Sequence, residues 1–154
     1  MTQSNAHDPS KKIVSVSKFV PAPASEIFDL LADPKKHAVI DGSGSIKSAL
    51  ESAPQRLTLG STFGMSMKIV APYRITNTVV EFVESKQIAW RHFGGHIWRY
   101  VLEPTDGGTT VTEQFSYATS RHPLELKLFG FVSKNEKSIC KTLANLAAFF
   151  GARN

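Results

Sequence analysis

The chain predicts an α+β fold: a curved antiparallel sheet of about six to seven strands wrapped around one long C-terminal helix, with two short helices after the first strand. Three observations carry this. Residues 87–117, QIAWRHFGGHIWRYVLEPTDGGTTVTEQFSY, read as three consecutive strands joined by two glycine-bearing turns. Residues 123–150 change to a spacing of three and four, which puts Leu128, Val132, Ile139, Leu143, Leu146 and Phe150 in one stripe. Residues 21–42 carry helix punctuation, with Pro23 or Ala24 opening, Pro34 closing and Gly42 stopping the chain again.

The elements follow in order. Residues 1–10 are polar and without period, so they are expected to form a flexible tail before one domain of residues 11–154. KIVSVSKFV at 12–20 is rich in β-formers and gives the first strand. In PAPASEIFDLLADP, Ile27, Leu30 and Leu31 form the buried face of a short helix with Ser25 or Glu26 in its first turn, and KKHAVID supplies a second short helix. DGSGS is a turn, lacking the lysine and strand-to-helix setting of a phosphate loop. Residues 45–51 suggest an edge strand. STFGMSMKIV then places Phe63, Met65, Met67 and Ile69 on one face, and YRITNTVVEFVE is a long strand whose Val79-Val80 pair breaks alternation and marks a bulge. In the last helical stretch, Asn135 and Glu136 interrupt the apolar stripe and Gly130 predicts a kink or break.

Alternation also sets the register of the last two hairpins, because a slip of one residue exchanges the two faces. Pairing Pro104 with Thr109 sets Leu102 against Val111, Tyr100 against Glu113 and Trp98 against Phe115. A loop of Phe93, Gly94 and Gly95 places His92 opposite His96 and Trp90 opposite Trp98. The result is an aromatic wall holding two ionisable groups, His92 and Glu113, with Arg91, Arg99 and Gln114 turned to water.

Composition narrows the function. With 154 residues and 42% hydrophobic content, the chain supports one substantial core. No apolar run approaches the roughly 20 residues of a membrane span, and the opening MTQSNAHDPSKK lacks the apolar centre of a secretory signal, so a cytoplasmic protein is expected. Cys140 is the only cysteine, which excludes an internal disulfide and a cysteine-built zinc site; it reads as a small apolar filler on the last helix. The net charge of +5 comes from lysines spread along the chain, which argues against nucleic acid as a partner.

Among candidate chemical groups, Glu113 is the sharpest, since a carboxyl among Trp98, Tyr100 and Phe115 would be desolvated and its pKa raised towards proton-transfer range. His92 is a second candidate acid or base, or a polar contact at the sheet rim. The bland alternatives are a Glu113–Tyr100 hydrogen bond that holds the sheet and a solvated histidine capping a hairpin. His92 and His96 lack the further ligands a metal site needs, so no metal is expected. Ser25, Ser43 and Ser61 have no nucleophile elbow or adjacent base. Met65 and Met67 suit a pliable pocket wall or ordinary core.

FVPAPASEIFDLLADPKKHAVIDGSG, then IAWRHF, then WRYVLEPTDGGTTVTEQF resemble, in that order and spacing, the START-like or SRPBCC superfamily in its polyketide cyclase/dehydrase and lipid-transport branch, over nearly all of residues 12–150. The resemblance implies a helix-grip fold with a hydrophobic cavity between sheet and last helix, occupied by a small hydrophobic or amphipathic molecule such as a lipid, polyketide or aromatic metabolite. It implies no cofactor, and it supplies no catalytic residues that can be placed here. The leading expectation is a binding protein with Phe63, Met65, Met67, Trp90, His92, Trp98, Tyr100, Glu113, Phe115, Ile139 and Leu143 around the ligand. The alternatives are a cyclase or dehydratase using Glu113 or His92 for proton transfer, and a module that binds a protein partner.

Overall fold

Strand alternation builds most of the molecule. The computed structural model describes residues 4–153, with side chains from His7 onward. Its strands are β1 (Ser4–Asp8), β2 (Ile13–Val20), β3 (Ile46–Ala49), β4 (Thr62–Lys68), β5 (Pro72–Val83), β6 (Gln87–His92), β7 (Ile97–Thr105) and β8 (Gly108–Ser116). They form one antiparallel sheet in the order β1-β2-β8-β7-β6-β5-β4-β3. Helices α1 (Ala24–Leu31) and α2 (His37–Ile40) follow β2, with a 3₁₀ turn at Pro34–Lys36 between them, and α3 (Pro123–Leu128) and α4 (Phe131–Gly151) close the chain. Among the described residues no helix is long and apolar enough to cross a membrane.

The eight strands exceed the expected six to seven because of β1, which occupies part of what the sequence assigned to a tail. Its backbone pairs with the open edge of β2, Ala6 facing Ser15, and backbone pairing of this kind needs no side-chain pattern. The His7 imidazole lies 3.1 Å from the Tyr117 hydroxyl and fastens the strand to the end of β8. Residues 1–3 of that tail lie outside the described residues.

Both hairpin registers match the sequence reading. Tyr100 pairs with Glu113, Trp98 with Phe115, and Trp90 with Trp98. The register of β5 against β6 shifts between Val79 and Glu81, a bulge at Val80. Arg99, expected in water, is partly buried and donates from Nε to Glu81 Oε2 at 2.8 Å and from Nη1 to Gln114 Oε1 at 3.0 Å.

Helix α4 lies across β2 and β8. Its Val132, Ile139, Leu143, Leu146 and Phe150 join Val14, Val16, Val111 and Phe115 in the core, while Cys140 packs half-buried at its margin. The break at Gly130 is real, with φ +74 between α3 and α4. It also corrects the stripe: Leu128 stands on α3, out of phase with α4, and is exposed. Gly42 fixes the approach of α2 to α4, because a Cβ there would collide with the Ser138 carbonyl. In its absence the Gly42 N–H donates to Thr142 Oγ1 at 2.8 Å, and Asn145 Nδ2 donates to the Ile40 carbonyl at 3.1 Å.

Candidate functional site

The curve of the sheet and the N-terminal half of α4 leave a cavity of about 580 Å³, whose exposed lining residues come from the turn after α2 (Ser43, Gly44), the β4–β5 hairpin (Lys68, Ile69, Tyr73), the β6–β7 loop (Phe93) and the start of α4 (Phe131, Lys134). Its walls follow from alternation: Met65 and Met67 from β4, Ile75 and Asn77 from β5, Trp90 and His92 from β6, Trp98 and Tyr100 from β7, and Glu113 from β8 all point to the concave face. Helix α4 adds Phe131, Lys134, Asn135, Ser138, Ile139 and Thr142, while Leu31, His37 and Ile40 come from the two short helices.

The aromatic groups brace one another. Trp90 stacks on His37 with ring centroids 4.8 Å apart and meets Phe63 edge-on at 5.6 Å. Trp98 lies against Phe115 at 4.8 Å, and Phe115 against Tyr117 at 5.8 Å. Contacts of this kind hold the large rings at the wall and keep them from collapsing into the space.

The polar groups are sparse and deep. Glu113 and Asn77 are each only 4% exposed. The Tyr100 hydroxyl neighbours the Glu113 carboxyl closely enough to influence its titration, yet Glu113 Oε2 and Asn77 Oδ1 have no hydrogen-bond partner in the protein. Burial pushes the Glu113 carboxyl up to about 8, against which the neighbouring Tyr100 hydroxyl acts in the opposite sense. At neutral pH the group is therefore mostly a neutral acid, able to donate as well as accept. Burial and the neighbouring carboxyl together push the Tyr100 phenol well above its ordinary value.

Burial favours the neutral form of the three cavity histidines, His37, His92 and His96. His37 Nε2 lies 2.8 Å from the Leu31 carbonyl, which can only accept, so the proton sits on Nε2 and burial lowers its pKa. His92 Nδ1 accepts from the Gly94 N–H at 2.9 Å, which leaves Nε2 as its donor, and burial lowers its pKa as well. His96 stacks on His92 at 4.2 Å and is pushed down to about 3, first by burial and then by His92. The charged groups Asp41, Lys68 and Lys134 also line the cavity. Asp41 is engaged by its own turn, accepting from the Ser43 and Ile46 N–H groups at 3.0 Å each.

Of the residues expected from sequence, Met65, Met67, Trp90, His92, Trp98, Tyr100, Glu113 and Ile139 line this space. Phe63, Phe115 and Leu143 do not; they are buried behind the wall in the packed core. Among the described residues no three His, Cys, Asp or Glu side chains are grouped to hold a metal ion.

Comparison with known proteins matches residues 11–150 to the family described as polyketide cyclase / dehydrase and lipid transport. The chain belongs to that family. The chain is 39% identical over 140 residues to the uncharacterized protein Rv0088 of Mycobacterium tuberculosis, covering 87% of this chain and 62% of the relative. The chain thus spans about three-fifths of the length of that relative. In fold it is similar to protein Ms6760 of Mycobacterium smegmatis, with TM-score 0.74, 18% identity and 98% of each chain covered. It is similar also to the di-domain aromatase/cyclase StfQ of the steffimycin biosynthetic pathway, with TM-score 0.67, 16% identity, 92% of this chain and 51% of that one.

Among the lining residues that sequence reasoning missed, His37 and Asn77 are the two deeply buried polar ones on α2 and β5. His37 shares a helix face with Ile40 three residues on, and that spacing was the available signal. Asn77 sits at an inward position of β5 two residues after Ile75 and two before Val79, where a polar residue on an apolar face marks either a partner or a ligand.

Proposed function

We propose that the chain binds a small hydrophobic or amphipathic molecule, of the lipid, polyketide or aromatic-metabolite kind, in the space between the sheet and α4. One observation carries the reading: a mostly apolar cavity of about 580 Å³ is lined by two deeply buried polar side chains, Glu113 and Asn77, each with one oxygen that the protein leaves unpaired. Ligand pockets run to about 300–1,000 Å³ with a few polar groups that fix orientation, and unpaired buried polar atoms cost about 1–3 kcal/mol each until something meets them. A ligand with an apolar body and a neutral hydrogen-bonding head answers both features. Met65 and Met67 adapt to the body, and Trp90 and Trp98 flank it. A thermal-shift screen of fatty acids, sterols, polyketide-like phenols and aromatic metabolites tests this. Stabilisation by at least one class is expected, and no shift at saturating concentration of any class contradicts it.

A second reading, proton-transfer catalysis of the cyclase or dehydratase kind, is favoured by one specific feature. Glu113 holds its proton near neutral pH while facing the cavity, so it can protonate a leaving hydroxyl or a carbonyl oxygen. Product analysis of bound polyketide mimics, comparing wild type with Glu113→Gln, separates the two: turnover lost with binding retained supports the enzyme, and binding without turnover in both supports the carrier.

A further inference from the structure

We propose that the cavity mouth is a docking surface for a lipid bilayer with anionic headgroups. All the exposed large apolar side chains of the described residues except Val39, Leu59 and Val83 belong to three segments: the β4–β5 tip, the β6–β7 loop, and α3 with its junction to α4. The most prominent are Val70, 92% exposed, Leu128, 81%, and Phe129, 75%. Ile69, Phe93 and Phe131, also exposed, line the cavity itself, so this apolar surface is continuous with the opening. The Arg121 N–H donates to the Gly94 carbonyl at 3.0 Å and joins the approach to α3 with the β6–β7 loop. Exposed apolar side chains gathered in one place on an otherwise polar surface mark an interaction site.

Charge identifies the partner. Segments 68–74 and 121–137 contain six basic residues, Lys68, Arg74, Arg121, Lys127, Lys134 and Lys137, against two acidic ones, Glu125 and Glu136, a net +4 of the +5 carried by the whole chain. Glu125 Oε1 lies 3.5 Å from Nδ1 of His122, the residue that precedes α3. The apolar groups project from turns and from α3, a short helix with no buried residue, and are flanked by long basic side chains. Apolar tips inserted at the headgroup boundary, with lysine and arginine reaching anionic phosphates around them, are the arrangement of an interfacial anchor. A bilayer in contact with this surface lies directly over the opening, so a hydrophobic molecule passes between membrane and cavity without crossing water.

Flotation of the full chain with phosphatidylcholine vesicles, with and without phosphatidylglycerol, is the test. Binding is expected to the phosphatidylglycerol vesicles and to weaken as salt rises. Val70→Asp, Leu128→Asp and Phe129→Asp are each expected to weaken binding about tenfold or more, as is Lys127→Glu combined with Lys137→Glu. Leu59→Asp and Val83→Asp, exposed elsewhere, are expected to bind as wild type; thermal melting of every variant confirms that it is folded. Absence of vesicle binding, equal binding to neutral and anionic vesicles, or rim variants that bind like wild type overturn the proposal. So does light scattering that shows a dimer which the rim variants dissociate. The readout is vesicle association alone, so it stands or falls separately from ligand binding inside.

Discussion

The two halves of α4 meet different surroundings. From Leu143 to Phe150 its inward side chains are packed into the core, whereas Phe131, Lys134, Asn135 and Ser138 border a space and Phe131 is exposed. One continuous helix thus spans a closed end that stores stability and an open end that holds a void. The difference teaches that burial along this chain is divided by position: residues with similar apolar character contribute to folding at one end and shape a cavity at the other.

The largest effect expected is at the closed end. Leu143→Ala, which empties a fully buried site, is expected to lower unfolding free energy by about 3–4 kcal/mol. Phe131→Ala at the open end is expected to cost under about 1 kcal/mol. Urea unfolding of both variants measures the contrast, and equal losses would dissolve it.

Glu113 sharpens the comparison through pH. Its folded pKa of about 8 lies above the unfolded value of 4.5, so the folded state keeps a proton that the unfolded chain releases between those pH values. Stability from this group is whole below about pH 4.5 and is lost as pH rises through about 8. Glu113→Gln, neutral throughout, is therefore expected to be more stable than wild type by about 2–3 kcal/mol at pH 9, with the advantage vanishing near pH 4. Urea midpoints across that range decide it, and parallel profiles would show that the carboxyl is not desolvated.

His96 works in the opposite direction. Its folded pKa of about 3 lies below the ordinary 6.5, so the unfolded chain takes up a proton first and stability falls as pH drops through that interval. His96→Gln is expected to recover about 1 kcal/mol at pH 4 and little at pH 8, as thermal melts at the two pH values would show. The smallest effect is at the mouth, where Leu128→Asp is expected to change stability by no more than about 0.5 kcal/mol.

The hairpin registers were legible because turn chemistry and alternation constrain each other: only one pairing of Tyr100 and Glu113 also brings Trp98 to Phe115. Local rules also located the Val80 bulge and the Gly130 break. What alternation supplies is a face, never a depth, so it does not separate Phe63, Phe115 and Leu143, which lie outside the cavity lining, from Met65, Trp98 and Tyr100, which are part of it. The β1 strand is not legible because its pairing with β2 is made by backbone groups, which need no side-chain pattern. His37 was hidden because its partners are a carbonyl six residues back and the Trp90 ring from a distant strand. Leu128 was misassigned because the positive φ at Gly130 resets the helical phase.

The central claim, that the open end holds a ligand, is tested most directly by fluorescence. Both tryptophans of the chain, Trp90 and Trp98, line the cavity, so intrinsic emission reports its occupancy. Titration with the neutral apolar probe N-phenyl-1-naphthylamine is expected to give saturable tryptophan quenching with energy transfer to one probe per chain. Tryptophan emission that stays unchanged while the probe remains dark would contradict it.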